Sequence, residues 1–351
     1  EEEMRTLFLA AALAALPAAF FMKRYGRRAG FMLGAGIGML GALISAFAVS
    51  IGSFWLLCFG TVFAGIYNAF GQQYRFAAAD AAPLDWKGKA ISLTLAGGII
   101  GGVIGPEVGK LTRTLLEPTY LASYAALIGF AAVSMLIASR LDIPPLSVAD
   151  QKAVGRPLHR IARQPAFVVA VLAAACGYGV MNLLMTATPL AMDICGLPFA
   201  DTAFILQWHV IGMFAPSFFT GDLIKRFGVL TILGVGAALM FLCIGIALSG
   251  VTLMHFWWAL VLLGIGWNFL FIGGTTLLTE TYRPEEKAKV QGTNDFLVLG
   301  VQGLTSLSSG VLVTSTGWAS LNTYALPIVA MTALATALFW FHRRSARDGL
   351  A

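Results

Sequence analysis

The chain has 351 residues, of which 58% are hydrophobic and only 11% are charged, and its mean hydropathy is +0.81. A soluble domain carries roughly 25% charged residues, so this composition excludes a water-soluble globular protein. The apolar residues form runs of about 20, which is the length that a helix needs to cross a hydrocarbon core of ~30 Å. None of the runs alternates as the strands of a membrane barrel do. The net charge of +6 lies between the runs and therefore indicates membrane orientation, not nucleic-acid binding.

The apolar runs predict an all-α membrane protein with eleven spans. Loops assigned to alternate sides place all but three of the 23 Lys and Arg residues on one side, and the exceptions are Arg5, Lys110 and Arg113. Basic loops mark the cytoplasmic side, which puts the C-terminus inside. The predicted spans lie near residues 5–22, 29–50, 54–79, 89–111, 121–139, 166–192, 201–224, 228–249, 255–279, 289–312 and 320–341.

Two loops each occur twice in the sequence. Lys23-Arg24-Tyr25-Gly26 returns 202 positions later as Lys225-Arg226-Phe227-Gly228, and both copies join two apolar runs. The charged loop at residues 80–89 matches the loop at residues 280–289 with a shift of 200, and Asn68 corresponds to Asn268 at the same shift. A shift of about 200 residues that preserves loop polarity indicates two copies of one membrane unit.

The repeat predicts three segments. Residues 1–141 form an N-terminal bundle of five spans, residues 142–164 form a cytoplasmic linker, and residues 165–351 form a C-terminal bundle of six spans. The span at residues 166–192 has no earlier counterpart, because subtracting the shift gives a position before residue 1. We therefore expect a six-plus-six protein that lacks its first helix; the alternative is a genuine protein of eleven spans.

These motifs resemble those of the major facilitator superfamily. Residues 221–228 fit its loop signature, although the acid, Asp222, stands ahead of the signature's position. In the first copy Ala19 replaces the leading Gly and Lys23 replaces the acid, whereas residues 24–28 match well. Residues 101–109 are similar to the antiporter-associated Gly/Pro motif. The sequence at residues 185–192, 207–209 and 266–268 resembles that of a bacterial branch of this superfamily, which includes riboflavin transporters.

The resemblance implies a major-facilitator-type fold of two pseudo-symmetric bundles around a central solute site. The spans at residues 54–79, 166–192 and 255–279 would line the cavity, together with the absent first helix. The protein would act by alternating between inward-open and outward-open states.

Asp295 and His209 are the candidates for proton coupling, because ionisable groups inside a span are costly and mark functional sites. Asp295 follows Lys289 by six residues, which places it about 9 Å into its helix. The alternative is a helix-end carboxylate paired with a cytoplasmic Lys or Arg. His209 lies about 12 Å deep, beside Gln207 and Trp208, and can bind solute or relay protons. Its alternative is a neutral histidine hydrogen-bonded within its own bundle.

Polar and aromatic side chains within the spans are the candidates for solute contacts. Asn68 and Asn268 have aromatic neighbours, and such groups orient and stack on a planar polar solute. The alternative is hydrogen bonding between helices, which contributes about 0.6 kcal/mol on average. The predicted cavity residues are Tyr67, Asn68, Gln72, Arg75, Tyr178, Asn182, Gln207, Trp208, Trp267 and Asn268.

The basic loops are predicted to latch the cytoplasmic side. If the bundles follow the family, Arg24 and Arg28 lie near Asp80, and Arg226 lies near Glu280. The alternative is that these charges only set topology. The predicted gating residues are Arg24, Gly26, Arg28, Asp80, Asp222, Arg226, Gly228 and Glu280. The predicted helix-bending residues are Gly101, Gly105, Pro106 and Gly109, because proline removes a backbone donor and crowds the preceding turn.

The sequence therefore predicts a secondary transporter of a small organic solute in the bacterial inner membrane, coupled to protons. A G-x-x-x-x-G-K-[ST] motif is absent from the sequence, which disfavours an ATP-driven pump. An intramembrane enzyme would need convergent catalytic or metal-binding side chains at helical spacing, and the sequence offers none. We expect no cofactor, no metal, no nucleic acid and a monomer in the lipid bilayer. A non-transporting truncated protein is the alternative, and riboflavin-like uptake and drug or metabolite efflux both stay open.

Overall fold

A computed structural model describes the backbone of residues 2–144 and 147–348. Side chains are described between residues 6 and 346, apart from 145, 146, 148 and 152. The side chains of Arg5, Lys152 and Arg347, which carry part of the topology prediction, lie outside this set. Pro145 of the predicted linker and residues 1 and 349–351 of the predicted bundles also lie outside it.

The described chain is helical, as the sequence predicts. Its helices are α1 (Glu2–Tyr25), α2 (Arg27–Ser50), α3 (Phe54–Gln72), α4 (Tyr74–Ala81), α5 (Lys87–Ala96), α6 (Gly98–Thr112), α7 (Leu121–Ser139), α8 (Val148–Lys152), α9 (Leu158–Ala162), α10 (Pro165–Ile194), α11 (Phe199–Phe214), α12 (Ser217–Phe227), α13 (Val229–Ser249), α14 (Leu253–Leu278) and α15 (Lys287–Asp348). Short 3₁₀ turns at Leu84–Trp86 and Pro284–Glu286 precede α5 and α15.

Within the described residues, nine helices are long and apolar enough to cross a membrane, or ten if the bent pair α11 and α12 counts as one span. The longest of them, α15, breaks at Gly317, whose φ of 83° is non-helical. Counting its two arms separately gives eleven spans for the described chain, which is the predicted number.

The repeated loop has the same backbone geometry in both copies. Gly26 ends α1 and begins α2 with φ 90° and ψ 160°. Gly228 ends α12 and begins α13 with φ 85° and ψ 149°. Side chains with a Cβ rarely adopt a positive φ, so glycine is the residue that permits this sharp connection. The sequence repeat is therefore also a repeat of local structure.

Contacts divide the chain into two compact units. Unit 1 consists of Glu1–Ala81, Ile100–Leu158 and Tyr282–Gly303, and unit 2 consists of Ala82–Ile99, His159–Thr281 and Leu304–Ala351. These units differ from the predicted segments for two reasons. In unit 2, α5 packs on α12. In unit 1, Leu299 of α15 joins a buried cluster of α1 alanines. The division into segments 1–141, 142–164 and 165–351 follows the repeat and stays a prediction.

One helix is central to each unit. In unit 1, α3 packs against α1 and α2, and α2 also packs against α7. In unit 2, α14 packs against α11 and α13 in the same manner, and it packs against α10 as well. The helix α3 has no counterpart of α10 among its principal described neighbours.

Candidate functional site

The carboxylate of Asp295 lies inside unit 1 and forms an ion pair with Arg75. Both side chains are 3% exposed or less. Gln73 Nε2 donates to Oδ2 of the aspartate at 2.6 Å, and Asn294 Nδ2 donates to Oδ1 at 3.1 Å. Nη1 of Arg75 donates to the backbone oxygen and to Oε1 of Gln72, both at 2.6 Å. The buried charges are therefore paired and hydrogen-bonded, which is the condition under which such groups persist in a core.

Helical spacing explains how the chain brings these groups together. Lys287, Gln291 and Asp295 are four residues apart on α15 and thus share one face. Asp295 lies about 12 Å along the helix from Lys287. Arg75 lies in the first turn of α4, directly after Gln73 closes α3.

A network of alternating charges continues from this ion pair. Arg27 Nη1 donates to Gln73 Oε1 at 2.7 Å, and its Nη2 donates to Gln291 Oε1 at 2.6 Å. Nη2 of Arg27 also pairs with Asp80 at 3.0 Å, and Lys287 pairs with the second oxygen of Asp80 at 2.8 Å. Side-chain exposure rises to 23% at Lys287, so the network leads from the core of unit 1 towards its surface.

The geometry around Asp295 agrees with the paired alternative considered from the sequence, with one difference. Its partner is the buried Arg75 and not an exposed loop cation. Arg75, which the sequence predicts as a cavity residue, is an ion-pair partner in the core of unit 1. Proton coupling at Asp295 stays a prediction.

Aromatic rings in unit 2 surround Trp267. Its ring stacks on Phe271 with a centroid distance of 5.1 Å and an angle of 15°, and Tyr178 meets both rings edge-on at 5.3 and 5.2 Å. Trp267 is 1% exposed, and its indole Nε1 has no hydrogen-bond partner among the described residues. One turn beyond Tyr178, Asn182 donates to Thr305 Oγ1 at 3.3 Å. Trp267 and Phe271 are both buried, and Tyr178 is the half-buried member of this apolar cluster.

Asn268 holds the bend between α11 and α12. Its Nδ2 donates to Met213 O and to Ser217 Oγ, both at 2.6 Å, and its Oδ1 accepts from Thr220 Oγ1 at 2.7 Å. These partners lie on both sides of Pro216, where the two helices meet at 40°. Both amide donors of Asn268 are used within unit 2. The side chain therefore acts as a clamp, because its hydrogen bonds connect α11 to α12 at this bend.

His209 is fully buried, whereas its sequence neighbours are not. Its Nδ1 lies 2.7 Å from Leu260 O and must donate, because a carbonyl only accepts. His209 Nε2 is then the acceptor, and it has no partner among the described residues. Gln207 and Trp208 are exposed, and Trp208 packs edge-on against Trp257. The structure thus separates His209 from the two side chains with which the sequence grouped it.

The remaining predicted cavity residues bond within unit 1. Tyr67 donates its hydroxyl to Ser134 Oγ at 3.0 Å, which ties α3 to α7. Gln72 donates to Asn68 Oδ1 at 3.4 Å along α3, and Asn68 is half-buried. Asn68 therefore differs in environment from its repeat partner Asn268, and solute contact at both stays a prediction.

The first basic loop uses a different arginine from the two predicted ones. Arg24 and Arg28 are exposed, and Arg24 lies over the Tyr25 ring. Asp80 pairs instead with Arg27. The reason is geometric: Arg24 belongs to the last turn of α1, whereas Arg27 begins α2 beyond the sharp glycine connection and is only 12% exposed.

The second basic loop also differs from the prediction in its pairs. Glu280 accepts from Arg343 at 2.6 Å, and Arg226 lies over the Phe227 ring. Asp222 pairs with Lys89 of α5 at 2.9 Å. All of these groups lie in unit 2, and their function in gating stays a prediction.

The Gly/Pro motif lies in α6, which continues as one helix through Pro106 to Thr112. The interruption of this span is at Gly97, between α5 and α6. A Cβ added at Gly101, Gly105 or Gly109 would meet nothing within 4 Å. The three glycines therefore lie on a face of α6 that no other described residue covers.

A buried carboxylate at the start of α15 is not predicted by the sequence. Glu286 is fully buried and binds Arg156 of the linker through Nη2 at 2.6 Å, Nε at 2.8 Å and the backbone N–H at 2.7 Å. Arg283 N–H donates to the same carboxylate at 3.0 Å, and Lys289 donates to the backbone oxygen of Arg156. Gly155 has φ +61° beside the contact. The sequence shows the proline-rich linker and the Glu285-Glu286 pair, but it does not predict that these two segments contact each other.

Long apolar helices, a repeated basic loop and buried polar groups inside the spans are together typical of a polytopic membrane transporter. Residues 6–301 match the Major Facilitator Superfamily, and the chain belongs to that family. The members of this family are transporters and not enzymes.

The relatives and the solved structures agree with this assignment. The chain is 43% identical over 329 residues to the riboflavin transporter RfnT of Brucella anthropi, covering 92% of this chain and 82% of the relative. It is 30% identical over 359 residues to the uncharacterized MFS-type transporter YddS of Bacillus subtilis, covering 95% of this chain and 80% of the relative. The fold is similar to that of the transporter FucP in its outward conformation, with a TM-score of 0.74 at 16% identity. The match covers 96% of this chain and 89% of the FucP chain. The proton:xylose symporter XylE gives a TM-score of 0.78 at 13% identity, with coverage of 95% and 84%.

Proposed function

We propose that this chain is a secondary active transporter of riboflavin or a close analogue, and that it works by alternating access with proton coupling in the bacterial inner membrane. The observation that carries the proposal is the 43% identity to a riboflavin transporter over 92% of the chain. The concentration of Lys and Arg in the loops of one side supports a cytoplasmic C-terminus.

The aromatic cluster of unit 2 supports the choice of solute. A flat heteroaromatic ring gains about 0.5–1.5 kcal/mol from each well-oriented aromatic contact beyond the area it buries. The half-buried Tyr178 supplies such a contact, and the buried Trp267 packs edge-on against it with an indole Nε1 that has no partner among the described residues. Few convergent polar groups in an apolar surface are typical of small-molecule sites.

The buried ion pair supports proton coupling. In the charged state, Asp295 balances Arg75 inside unit 1. A proton on Asp295 removes that balance and leaves Arg75 with the neutral oxygens of Gln72. An uncompensated buried charge costs about 3–5 kcal/mol. Protonation therefore favours a conformation in which the guanidinium reaches water or another partner.

Titration of the purified protein with riboflavin tests the choice of solute. We expect tryptophan fluorescence to be quenched and the melting temperature to rise, because a ligand at 100 times its Kd adds about 2.7 kcal/mol to stability. The Trp267→Leu variant is expected to lose both responses. The matched Trp258→Leu variant, whose side chain is 50% exposed, is expected to keep them. Equal responses to riboflavin and to xylose, or none to either, would contradict the proposal.

A further inference from the structure

A cavity of about 380 Å³ lies in unit 2, where α13 begins and the second arm of α15 ends. Phe227 and residues 228–231 form one wall, and Trp340, Arg343 and Arg344 form the other. The first wall continues directly from the second copy of the repeated basic loop. The cavity therefore lies at the end of unit 2 that carries basic loops.

The two arginines give this cavity an excess of positive charge. Arg343 pairs with Glu280 at 2.6 Å. Arg344 is exposed and lies over the Trp340 ring at 5.3 Å, and it has no ion-pair partner among the described residues. None of the described residues that line the cavity is acidic. At least one arginine charge is thus left without a carboxylate.

The first turn of α13 has the same sign of charge as the arginines. No side chain caps the helix at Gly228, and the first turn contains no acidic residue. The N–H groups of a first turn have no partners within their helix, and the helix dipole adds partial positive charge there. The backbone of this wall therefore supports the anion preference that the arginines establish.

The first copy of the repeat contains an equivalent cavity of about 240 Å³ in unit 1. Gly228 corresponds to Gly26 at a shift of 202, and Arg344 corresponds to Pro144 at a shift of 200. Both Gly26 and Pro144 line the unit 1 cavity. The two cavities thus occupy matching places in the repeat.

The two cavities differ in how their positive charges are balanced. In unit 1, Asp80 and Asp150 line the cavity, and Asp80 pairs with both Arg27 and Lys287. Glu280 corresponds to Asp80, but it does not line the unit 2 cavity. The first copy therefore supplies its own anions, whereas the second copy leaves room for an anion from outside the chain.

An uncovered apolar face leads away from the unit 2 cavity along α13. Thr231, Val235, Ala238 and Leu242 follow one another at spacings of three or four residues, and all four are exposed. A Cβ added at Gly234 on the same face would meet nothing within 4 Å. A free inorganic anion gains nothing from such a face, whereas the acyl chain of a lipid covers it.

We propose that this cavity binds the headgroup phosphate of an anionic phospholipid. Arg343 and Arg344 hold the phosphate, and one acyl chain lies along the exposed face of α13. Trp340 lies at the level of the headgroup, where tryptophan is enriched in membrane proteins. Basic pockets between membrane helices are the kind of site that binds acidic lipid headgroups.

Native mass spectrometry of the purified full chain, incubated with phosphatidylglycerol or phosphatidylcholine in detergent, tests the proposal. The cavity variant is the double change Arg343→Gln, Arg344→Gln. The matched control is Arg160→Gln, Arg163→Gln, which removes two exposed arginines from the same unit. Both variants lose the same charge, so a general attraction to acidic lipid would weaken equally in each.

We expect the unaltered chain and the control to retain one phosphatidylglycerol, and the affinity of the cavity variant to fall about 30-fold. This magnitude corresponds to about 1 kcal/mol for each basic residue near an anionic membrane surface. Arg344→Gln alone leaves the pair between Arg343 and Glu280 intact and is expected to lower the affinity about fivefold. Melting temperatures without added lipid check that the variants are folded.

A second arm of the experiment separates a lipid from a free anion. Phosphatidylglycerol is expected to raise the melting temperature of the unaltered chain, and inorganic phosphate or glycerol phosphate at the same concentration is expected to leave it unchanged. Equal retention of phosphatidylglycerol by the cavity and control variants, equal retention of phosphatidylcholine, or equal stabilisation by inorganic phosphate would overturn the proposal. These readouts are independent of riboflavin transport.

Discussion

The buried ion pair between Arg75 and Asp295 allows us to predict how mutations change the free energy of unfolding. Arg75→Gln leaves a buried carboxylate whose neutral partners are Gln73 and Asn294. Asp295→Asn leaves a buried guanidinium held by the oxygens of Gln72. Each single change is expected to destabilise the folded protein by about 3–5 kcal/mol, which is the usual cost of breaking a buried pair.

The double variant Arg75→Gln, Asp295→Asn is expected to be more stable than the sum of the single effects implies. It removes both charges and leaves two amides that can hydrogen-bond to each other. Residues in direct contact couple by about 0.5–3 kcal/mol, and we expect a value near the upper end because both side chains are almost fully buried.

Thermal unfolding of the four proteins in one detergent measures the cycle. The exposed pair of Lys225 and Asp85 is the matched control, because its N–O distance is 3.0 Å but its side chains are 58% and 62% exposed. The control cycle, with Lys225→Gln and Asp85→Asn, is expected to give about 0–1 kcal/mol. The reasoning is refuted if the double variant of the buried pair loses as much stability as both single variants together.

Three further changes test other contacts by thermal unfolding and by riboflavin titration. Asn268→Ala removes three hydrogen bonds at the α11–α12 bend and should cost about 2–3 kcal/mol; weaker riboflavin binding at an unchanged melting temperature would speak against the clamp. Glu286→Gln should destabilise the protein by about 2 kcal/mol, because its arginine partner is partly exposed, whereas Glu285→Gln should have little effect. Gly221→Ala places a Cβ 2.5 Å from the α5 backbone and should lower the free energy of unfolding by about 1–3 kcal/mol. The control Gly234→Ala places its Cβ in open space. Equal melting temperatures for the two variants would contradict the close approach of α12 to α5.

The spans and the repeat were predictable because hydropathy and glycine have local effects. A run of apolar residues must be helical in a bilayer, where its backbone cannot bond to water. Gly26 and Gly228 recur at the repeat spacing, and the structure gives them similar positive φ angles of 90° and 85°. The same shift placed Asn68 opposite Asn268, but it did not predict their different hydrogen bonds.

The partners of the charged side chains were not predictable, because they depend on helix rotation and on distant segments. Arg27 and Arg24 are three residues apart, yet only Arg27 turns inward to Asp80. Arg75 and Asp295 are separated by 220 positions, and nothing in the spacing of either segment relates one to the other. The face shared by Lys287, Gln291 and Asp295 was the available signal, since their four-residue spacing indicates a polar stripe.

The most direct test of the account is riboflavin transport by vesicles that contain the purified chain. An imposed pH gradient is predicted to drive riboflavin accumulation above equilibrium, and a protonophore should abolish it. The double variant of Arg75 and Asp295 should allow only downhill movement. Accumulation that is indifferent to the pH gradient, or vesicles that move no riboflavin, would contradict the account.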